Sequence, residues 1–487
     1  MRRLRIVPSR ISIAVCAAAS ISLLFAIGCA TGASGGSTGP SGPTYSGNTH
    51  AMLLITATNN AQIPIFNFNL KALTLVASDG TPVPVLTTPQ TVELGSINGV
   101  ARPLVAMDVP QGAYTSVKLT YGSSTFAVID HSSNDGTVDI GNYNINTPAN
   151  QPATATLQLT TPMVITGSAM GLLLDLNIPK STTYNPYFTG SPNFAPGAGQ
   201  TTFSPVYSIS AIQPAAQPST LLDGEVEGIH GQITASAGGV LTITSENGAV
   251  LSFTTSSSTV YAGASGAPPI GSFVAINAAL QADGSLLATL VQAEGTTQQY
   301  NIIGQVVQYT EQLYIQNSGR EQQGPNLANG TGFYAENVQL SSSPQFQIAW
   351  PNGAIPAGLP FTPALSPVSI VPGQNIATPV AGLQELTGMI PATNVVTLEP
   401  QTINATVAAI STANGQTSYQ VNLFSNDLIN IFGSAQSFVV YTTAGTHTIT
   451  TSPLTTGSIG RFRGLLFNDG GTLRMIATEI EDGVPGS

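Results

Sequence analysis

"DVPQGAYTSVKLTYG" (Asp108–Gly122) decides the fold. Pro110-Gln111-Gly112 reads as a turn, because proline fixes its own φ and glycine adopts backbone angles that other residues avoid. The run that follows alternates. As a strand it places Thr115, Val117, Leu119 and Tyr121 on one face, and Tyr114, Ser116, Lys118 and Thr120 on the other. A period of two is the period of a pleated strand. "TATLQLTTPMVIT" (Thr154–Thr166) and "GLLLDLNI" (Gly171–Ile178) read the same way.

The composition extends this reading to the whole chain. Of 487 residues, 42% are hydrophobic and only 7% are charged, against about 25% charged in an ordinary soluble domain. Long helices need Glu, Lys and Arg on their wet face, and this chain has few. It has 50 glycines and 34 prolines, which suit a β protein rich in turns. From Cys29 onward 8 basic residues stand against 23 acidic ones, a formal charge of −15. No basic stretch is present to meet a phosphate backbone, so nucleic acid is not an expected partner.

The four remaining basic residues, Arg2, Arg3, Arg5 and Arg10, open the chain. An apolar run, "ISIAVCAAASISLLFAI" (Ile11–Ile27), follows, and then Gly28 and Cys29. A basic head, an apolar run and a small residue describe a secretory signal. The segment resembles a bacterial lipoprotein signal, whose lipobox sets small residues before an invariant cysteine. Here Ala26, Ile27, Gly28 and Cys29 take those places. Ala26 stands where the family usually has Leu, and Ile27 where it prefers Ala or Ser. The resemblance implies cleavage before Cys29 and acylation of its thiol and new amino group. Ala30 after the cysteine implies the outer membrane by the family's sorting rule. The other reading is an ordinary signal peptide cut nearby. "ATGASGGSTGPSGPTYSGN" (Ala30–Asn48) has the composition of a flexible tether. The chain's other cysteine, Cys16, falls within the signal, so Cys29 is the expected sole thiol of the mature protein.

Residues 49–213 are expected to form a β-sandwich. "AMLLITATN", "NFNLKALTLVASDG", Pro110–Leu119 and Leu172–Leu176, followed by Lys180 and Ser181, resemble the bacterial family catalogued as domain of unknown function 4382. That family brings no known activity with it. After the linker "QPAAQPST" (Gln213–Thr220), a degenerate repeat runs through residues 221–296, 300–400 and 401–483. Each copy follows one plan: strand, hairpin, a further strand, a glycine-bearing turn, and a last strand. Copy one resembles the family catalogued as domain of unknown function 5666, and copies two and three resemble it progressively less. A copy of this length suits a closed or nearly closed barrel of five or six strands. In copy one a three-residue loop, Glu246-Asn247-Gly248, sets Ile243 against Leu251 and Leu241 against Phe253, with Gly248 left-handed. The expected fold is all-β: an N-terminal β-sandwich followed by three small β-barrel-like repeats.

Candidate chemistry is sparse. "GGSTG" (Gly35–Gly39) has the nucleophile-elbow pattern but lies in the tether, away from any strand-to-helix turn. Asp130, Asn134, Asp135 and Asp139 could offer oxygens to calcium, though Asn-Asp-Gly is also an ordinary hairpin turn. Asp223, Glu225 and Glu227 alternate near His230. They read as acid–base carboxylates or, preferably, as the solvated edge of the first barrel strand. His50, His131, His230 and His447 show no metal-ligand spacing, and no cofactor or metal is expected. The single Trp350 sits in a Pro-rich insertion of copy two, where it either plugs a small core or stacks on a sugar. The expected function is therefore a lipid-anchored, non-enzymatic envelope protein that scaffolds or binds. Its membrane contact is the lipidated Cys29, and its partner is an envelope protein or polysaccharide. The alternatives are a carbohydrate-binding adhesin using Trp350 as ligand contact and, behind it, an extracellular hydrolase. So few ionisable side chains also predict a stability that varies little between pH 7 and pH 3.

Overall fold

The computed structural model describes residues 45–487 apart from 60–62, 96, 131–138, 148–150, 185–200, 213–224, 246–247, 296–299, 310–311, 323–334, 350–354, 368–369, 381–389, 414, 426, 434, 451 and 484–487. The first region forms β1 (Asn48–Thr58), β2 (Ile65–Ala77), β3 (Pro82–Leu86), β4 (Gln90–Glu93), β5 (Arg102–Pro110), β6 (Gly112–Tyr121) and β7 (Ser124–Asp130). It continues with β8 (Asp139–Ile145), β9 (Ala153–Ile165), β10 (Ala169–Asn177), the one-turn α1 (Ile178–Ser181), β11 (Thr182–Tyr184), β12 (Thr201–Phe203) and β13 (Tyr207–Ile212). Two sheets face each other. One has the order β13-β10-β1-β5, with β1 and β10 parallel. The other runs β8-β7-β2-β6-β9, with β3 and β4 also paired to β2. Their inner faces share one core, including Leu53, Ile55, Phe66, Leu73, Val117, Leu119, Leu172 and Leu174.

The opening stretch folds as a strand, but its alternation breaks once. Val76 pairs with Ser116 and Ala77 with Tyr114, so Thr115 is an extra residue in β6. The bulge turns Tyr114 inward, away from the polar side that strict alternation gave it. Its ring is buried and its hydroxyl donates to Pro110 O at 2.6 Å. β10 departs further from alternation, because it is buried on both faces. Leu172, Leu174 and Leu176 face the sandwich core, while Leu173 belongs to a second core formed with the next region. β1 is divided the same way, with Leu53 and Ile55 on one side and Met52 and Leu54 on the other.

That next region holds β14 (Glu225–Ala237), β15 (Val240–Ser245), β16 (Val250–Thr254), β17 (Val260–Ala262), β18 (Phe273–Leu280) and β19 (Leu286–Gly295). Its strands run β16-β15-β14-β18-β19, and a parallel pairing of β16 with β19 closes the ring. Leu241 pairs with Phe253 and Ile243 with Leu251, and Ser245 N donates to Ala249 O at 2.8 Å. Gly248 has φ +80°, so the hairpin register and the left-handed glycine are as the face pattern requires.

A second ring contains β20 (Tyr300–Tyr309), β21 (Gln312–Gln322), β22 (Ala335–Ile348), β23 (Asn375–Val380) and β24 (Ile390–Leu398). The third contains β25 (Gln401–Ala413), β26 (Gln416–Leu423), the short helix α2 (Leu428–Gly433), β27 (Ser437–Tyr441), β28 (His447–Ile449), β29 (Ile459–Asp469) and β30 (Thr472–Asp482). Numbered within each ring and leaving out the short β17 and β28, the strands run 1-2-3-5-4 and return to 1. Strands 3 and 5 are parallel in every ring. This is a five-stranded Greek-key barrel plan, of which the OB-fold is one example. The cores are not private to the rings. Met52, Leu54, Leu173 and Ile212 of the sandwich pack with Ile233, Ile276 and Leu280 of the first ring. Val306, Ile376 and Leu398 of the second ring pack with Leu465, Phe467 and Ile476 of the third. Tyr45–Ser487 accordingly form one compact unit.

Candidate functional site

Polar residues converge where the sandwich, the first ring and the third ring meet. The third ring supplies two facing strands. Arg461 and Arg463 flank Phe462 in β29, and their cross-strand neighbours in β30 are Glu481 and Glu479. Phe462 points into the ring's own core, so period two sends both arginines outward. Arg461 ion-pairs with Glu481, and its Nη1 donates to Asn98 Oδ1 of the sandwich at 3.0 Å. Arg463 donates from Nε and Nη2 to Glu227 Oε2 of the first ring, at 3.2 and 2.8 Å. Its Nη1 donates to Thr402 Oγ1 at 3.2 Å, and Thr402 in turn donates to Asn98 O at 2.6 Å. Asn404 Nδ2 reaches Asn59 O at 3.1 Å, and Asn59 N donates to Asn98 Oδ1 at 3.1 Å.

Water is largely excluded from this joint. The side chains of Arg463 and Glu227 keep 10% and 12% of their surface. Asp175, on the outward face of β10, accepts from Thr58 Oγ1 at 2.9 Å. Burial pushes its carboxyl above the ordinary range, partly offset by Thr58 and by the charge of Arg461. Burial likewise holds the Arg461 guanidinium below its usual value, against the pull of Asp175, Glu479 and Asp482. Two charge-assisted bonds from one guanidinium compensate the charge of a carboxylate. Glu227 of the first ring is thereby tied to Arg463 of the third.

The structure corrects the reading of Glu227 as part of a solvated edge. Around Glu227, β14 pairs with β18 and is joined by β15 only from Gly231 onward, but the Glu227 side chain is covered by Arg463 of the third ring and keeps 12% of its surface. His230 is buried, with Nδ1 3.1 Å from Glu294 Oε1. Glu225 pairs with Ala279 in the same ladder, and Asp223 lies outside the described residues. The histidines are dispersed: His50 meets Asp108 at 3.2 Å on the surface, and His447 stands beside Glu479 in β28. Cys29, Gly35–Gly39, His131, Asn134, Asp135 and Trp350 lie outside the described residues. Asp130 and Asp139 pair with each other in the β7–β8 ladder. Among the described residues, no three His, Cys, Asp or Glu side chains are grouped to hold a metal ion, and no helix is long and apolar enough to cross a membrane.

The joint's residues had a sequence signal that composition masks. "RFR" in one strand and "EIED" in the next, across a Gly470-Gly471 turn, form a ladder of opposite charges once the hairpin register is drawn. A second charged residue is held by rings. Arg474 lies 5.4 Å from the centre of Phe361, in the second ring's insertion, and 5.7 Å from Tyr441 of the third ring, and it pairs with Asp469 at 2.6 Å. In comparison with known proteins, no protein-family model and no curated protein matches the chain.

Proposed function

We propose that the protein is a lipid-anchored component of a bacterial cell envelope whose folded body acts as a non-enzymatic scaffold or binding module. The observation that carries this reading is one of order. A basic head, an apolar run, Gly28-Cys29 and an uncharged tether precede the first strand at Asn48. Several acyl chains on Cys29 hold a protein stably at a membrane, where one chain holds it marginally. The sole thiol of the mature chain then has a use that needs neither a disulfide partner nor an active site. The fate of the charged side chains supports the non-enzymatic part: Arg461, Arg463, Arg474, Glu227 and Glu481 are tied into contacts between or within the rings. A scaffold needs such joints, and a catalyst needs ionisable groups free to meet a substrate. The partner is an envelope protein or polysaccharide, and the membrane is the outer membrane.

The test is mass spectrometry of the mature N-terminus together with membrane fractionation. The expected N-terminal peptide begins at an acylated Cys29, and the protein sediments with the outer membrane. Cys29→Ser blocks processing. A water-soluble wild-type protein with an alkylatable Cys29 thiol overturns the reading.

A further inference from the structure

β9 ends its sheet, and its edge differs from those of β3, β4, β5 and β13. Among the described residues it pairs with β6 alone. Its first nine residues, "ATATLQLTT", contain neither charge nor proline. Exposed edges are normally blunted by charge, proline or brevity. β5 carries Arg102, Pro103, Asp108 and Pro110, while β3 and β4 carry Pro82, Pro84 and Glu93. β13 is uncharged but has 6 residues, and its inward Tyr207 and Ile209 are buried. In β9 the inward Ala153, Ala155, Leu157 and Leu159 are only partly covered by the core they line, and Thr154, Thr156 and Gln158 are exposed.

The hydrogen bonds fix which main-chain groups are turned outward. Tyr207 Oη donates to Val117 O of β6 and Ala155 O of β9, at 2.9 and 3.1 Å. The odd-numbered residues of β9 therefore turn their main chain toward β6, and Thr154, Thr156 and Gln158 turn theirs to the free side. Past Gln158 the strand leaves the ladder and rejoins it at Met163, after Pro162. The regular edge is Ala153–Gln158, centred near Thr156.

We propose that this edge pairs antiparallel with the same edge of a second copy of the chain, about a two-fold axis at Thr156. In that register Thr156 faces Thr156 and Thr154 faces Gln158, and these are the residues whose N–H and C=O groups are turned outward. The pairing forms about six main-chain hydrogen bonds and joins the two sheets into one. Because antiparallel pairing preserves faces, Ala155 meets Leu157 on the inner side and Ala153 meets Leu159. The half-covered apolar residues of each copy cover those of the other. Charge favours this contact over others: a body with a −15 formal charge repels its own copies except where the surface is neutral. The exposed charge beside this edge, Lys118, lies one strand inward.

The test uses the full chain in detergent, with mass in solution as the readout. Wild type is expected to be dimeric. Thr154→Lys with Gln158→Lys sets lysine against lysine twice, and raises the dimer dissociation constant at least ~10-fold. Thr154→Lys with Gln158→Glu sets opposite charges together twice, and keeps the dimer. A third variant, Thr156→Cys, places a thiol on the axis. It is expected to be linked by a short bismaleimide, while wild type with its native cysteines and Thr74→Cys, two strands inward, are not. A monomeric wild type, a dimer indifferent to the lysine pair, loss of the dimer in the charge-swapped variant, or a Thr156→Cys protein that does not cross-link overturns the proposal.

Discussion

Asp427 shows how one side chain sets a pH response. It precedes α2 and is 4% exposed. Its Oδ1 accepts from Ile429 N at 2.9 Å, as an N-cap does, while its own carbonyl accepts from Ile431 N at 2.8 Å. Burial pushes its carboxyl up to about 7, although the amides of Ile429 and Asn430 favour the charged form. Asparagine keeps the same capping oxygen and carries no charge. Asp427→Asn is therefore expected to stabilise the protein at pH 8 by on the order of a few kcal/mol and to change little at pH 4. Chemical denaturation at the two pH values measures this, and an equal effect at both contradicts it. The helix also has a fixed neighbour. Gly373 lies against Ile429 with φ +86°, so any side chain there would enter the backbone of α2.

At the scale of the strand, glycine marks where two ladders crowd. Gly464 in β29 sits at a register shift opposite Ala477, and an added Cβ would run into the Ile476 carbonyl of β30. Gly464→Ala is expected to cost about 2–4 kcal/mol in the third ring. Gly415→Ala, at a turn with φ +79° and open space around it, should cost about 1 kcal/mol, mostly in backbone strain. Urea midpoints of the two variants test the order. Strands of this kind are legible when one face is wet. The β15–β16 hairpin follows from its apolar alternation, because a one-residue slip would put Ile243 opposite Ser252. Legibility fails where burial is two-sided or the ladder is bulged. β10 reads as alternating but is packed on both faces, since its outward Leu173 is covered by the first ring. Tyr114 reads as polar-facing until the extra residue Thr115 is known. The joint is hidden for another reason: Glu227 and Arg463 are 236 residues apart, and nothing local announces their meeting.

At the scale of the whole molecule, the outward face of the β1–β10 pair changes character along its length. Met52, Leu54 and Leu173 meet the first ring through apolar contact, and then Thr58 and Asp175 meet the polar joint of the third ring. Arg463 ties that joint to the first ring. Arg463→Met leaves Glu227 buried without its guanidinium, and should cost about 3–5 kcal/mol. If the joint makes the body melt as one, calorimetry of this variant shows two transitions where wild type shows one. An unchanged single transition assigns the coupling to the apolar cores instead. The same arrangement sets the pH profile. Asp175 and Asp427 hold a proton more tightly folded than unfolded, chiefly through burial. Their contribution is complete below the ordinary carboxylate value of 3.8 and is lost as pH rises through their raised values, about 7 for Asp427. Asp79 and Asp283 run the other way. Hydrogen bonds from the amide and hydroxyl of Thr81 hold Asp79 below 3.8, and those from the hydroxyl and amide of Ser285 hold Asp283 there. Both are exposed, so their effect is small, and it is lost only at pH below the ordinary carboxylate value. The melting temperature is therefore expected to hold level or rise from pH 8 to about pH 4, and to fall below that. With Asp427→Asn the rise between pH 8 and pH 6 should shrink, because the group responsible for most of that window no longer titrates. A wild-type melting temperature that drops steadily from pH 7 to pH 5 contradicts this account. It would mean that ionised carboxylates, rather than buried protonated ones, dominate the stability of the fold.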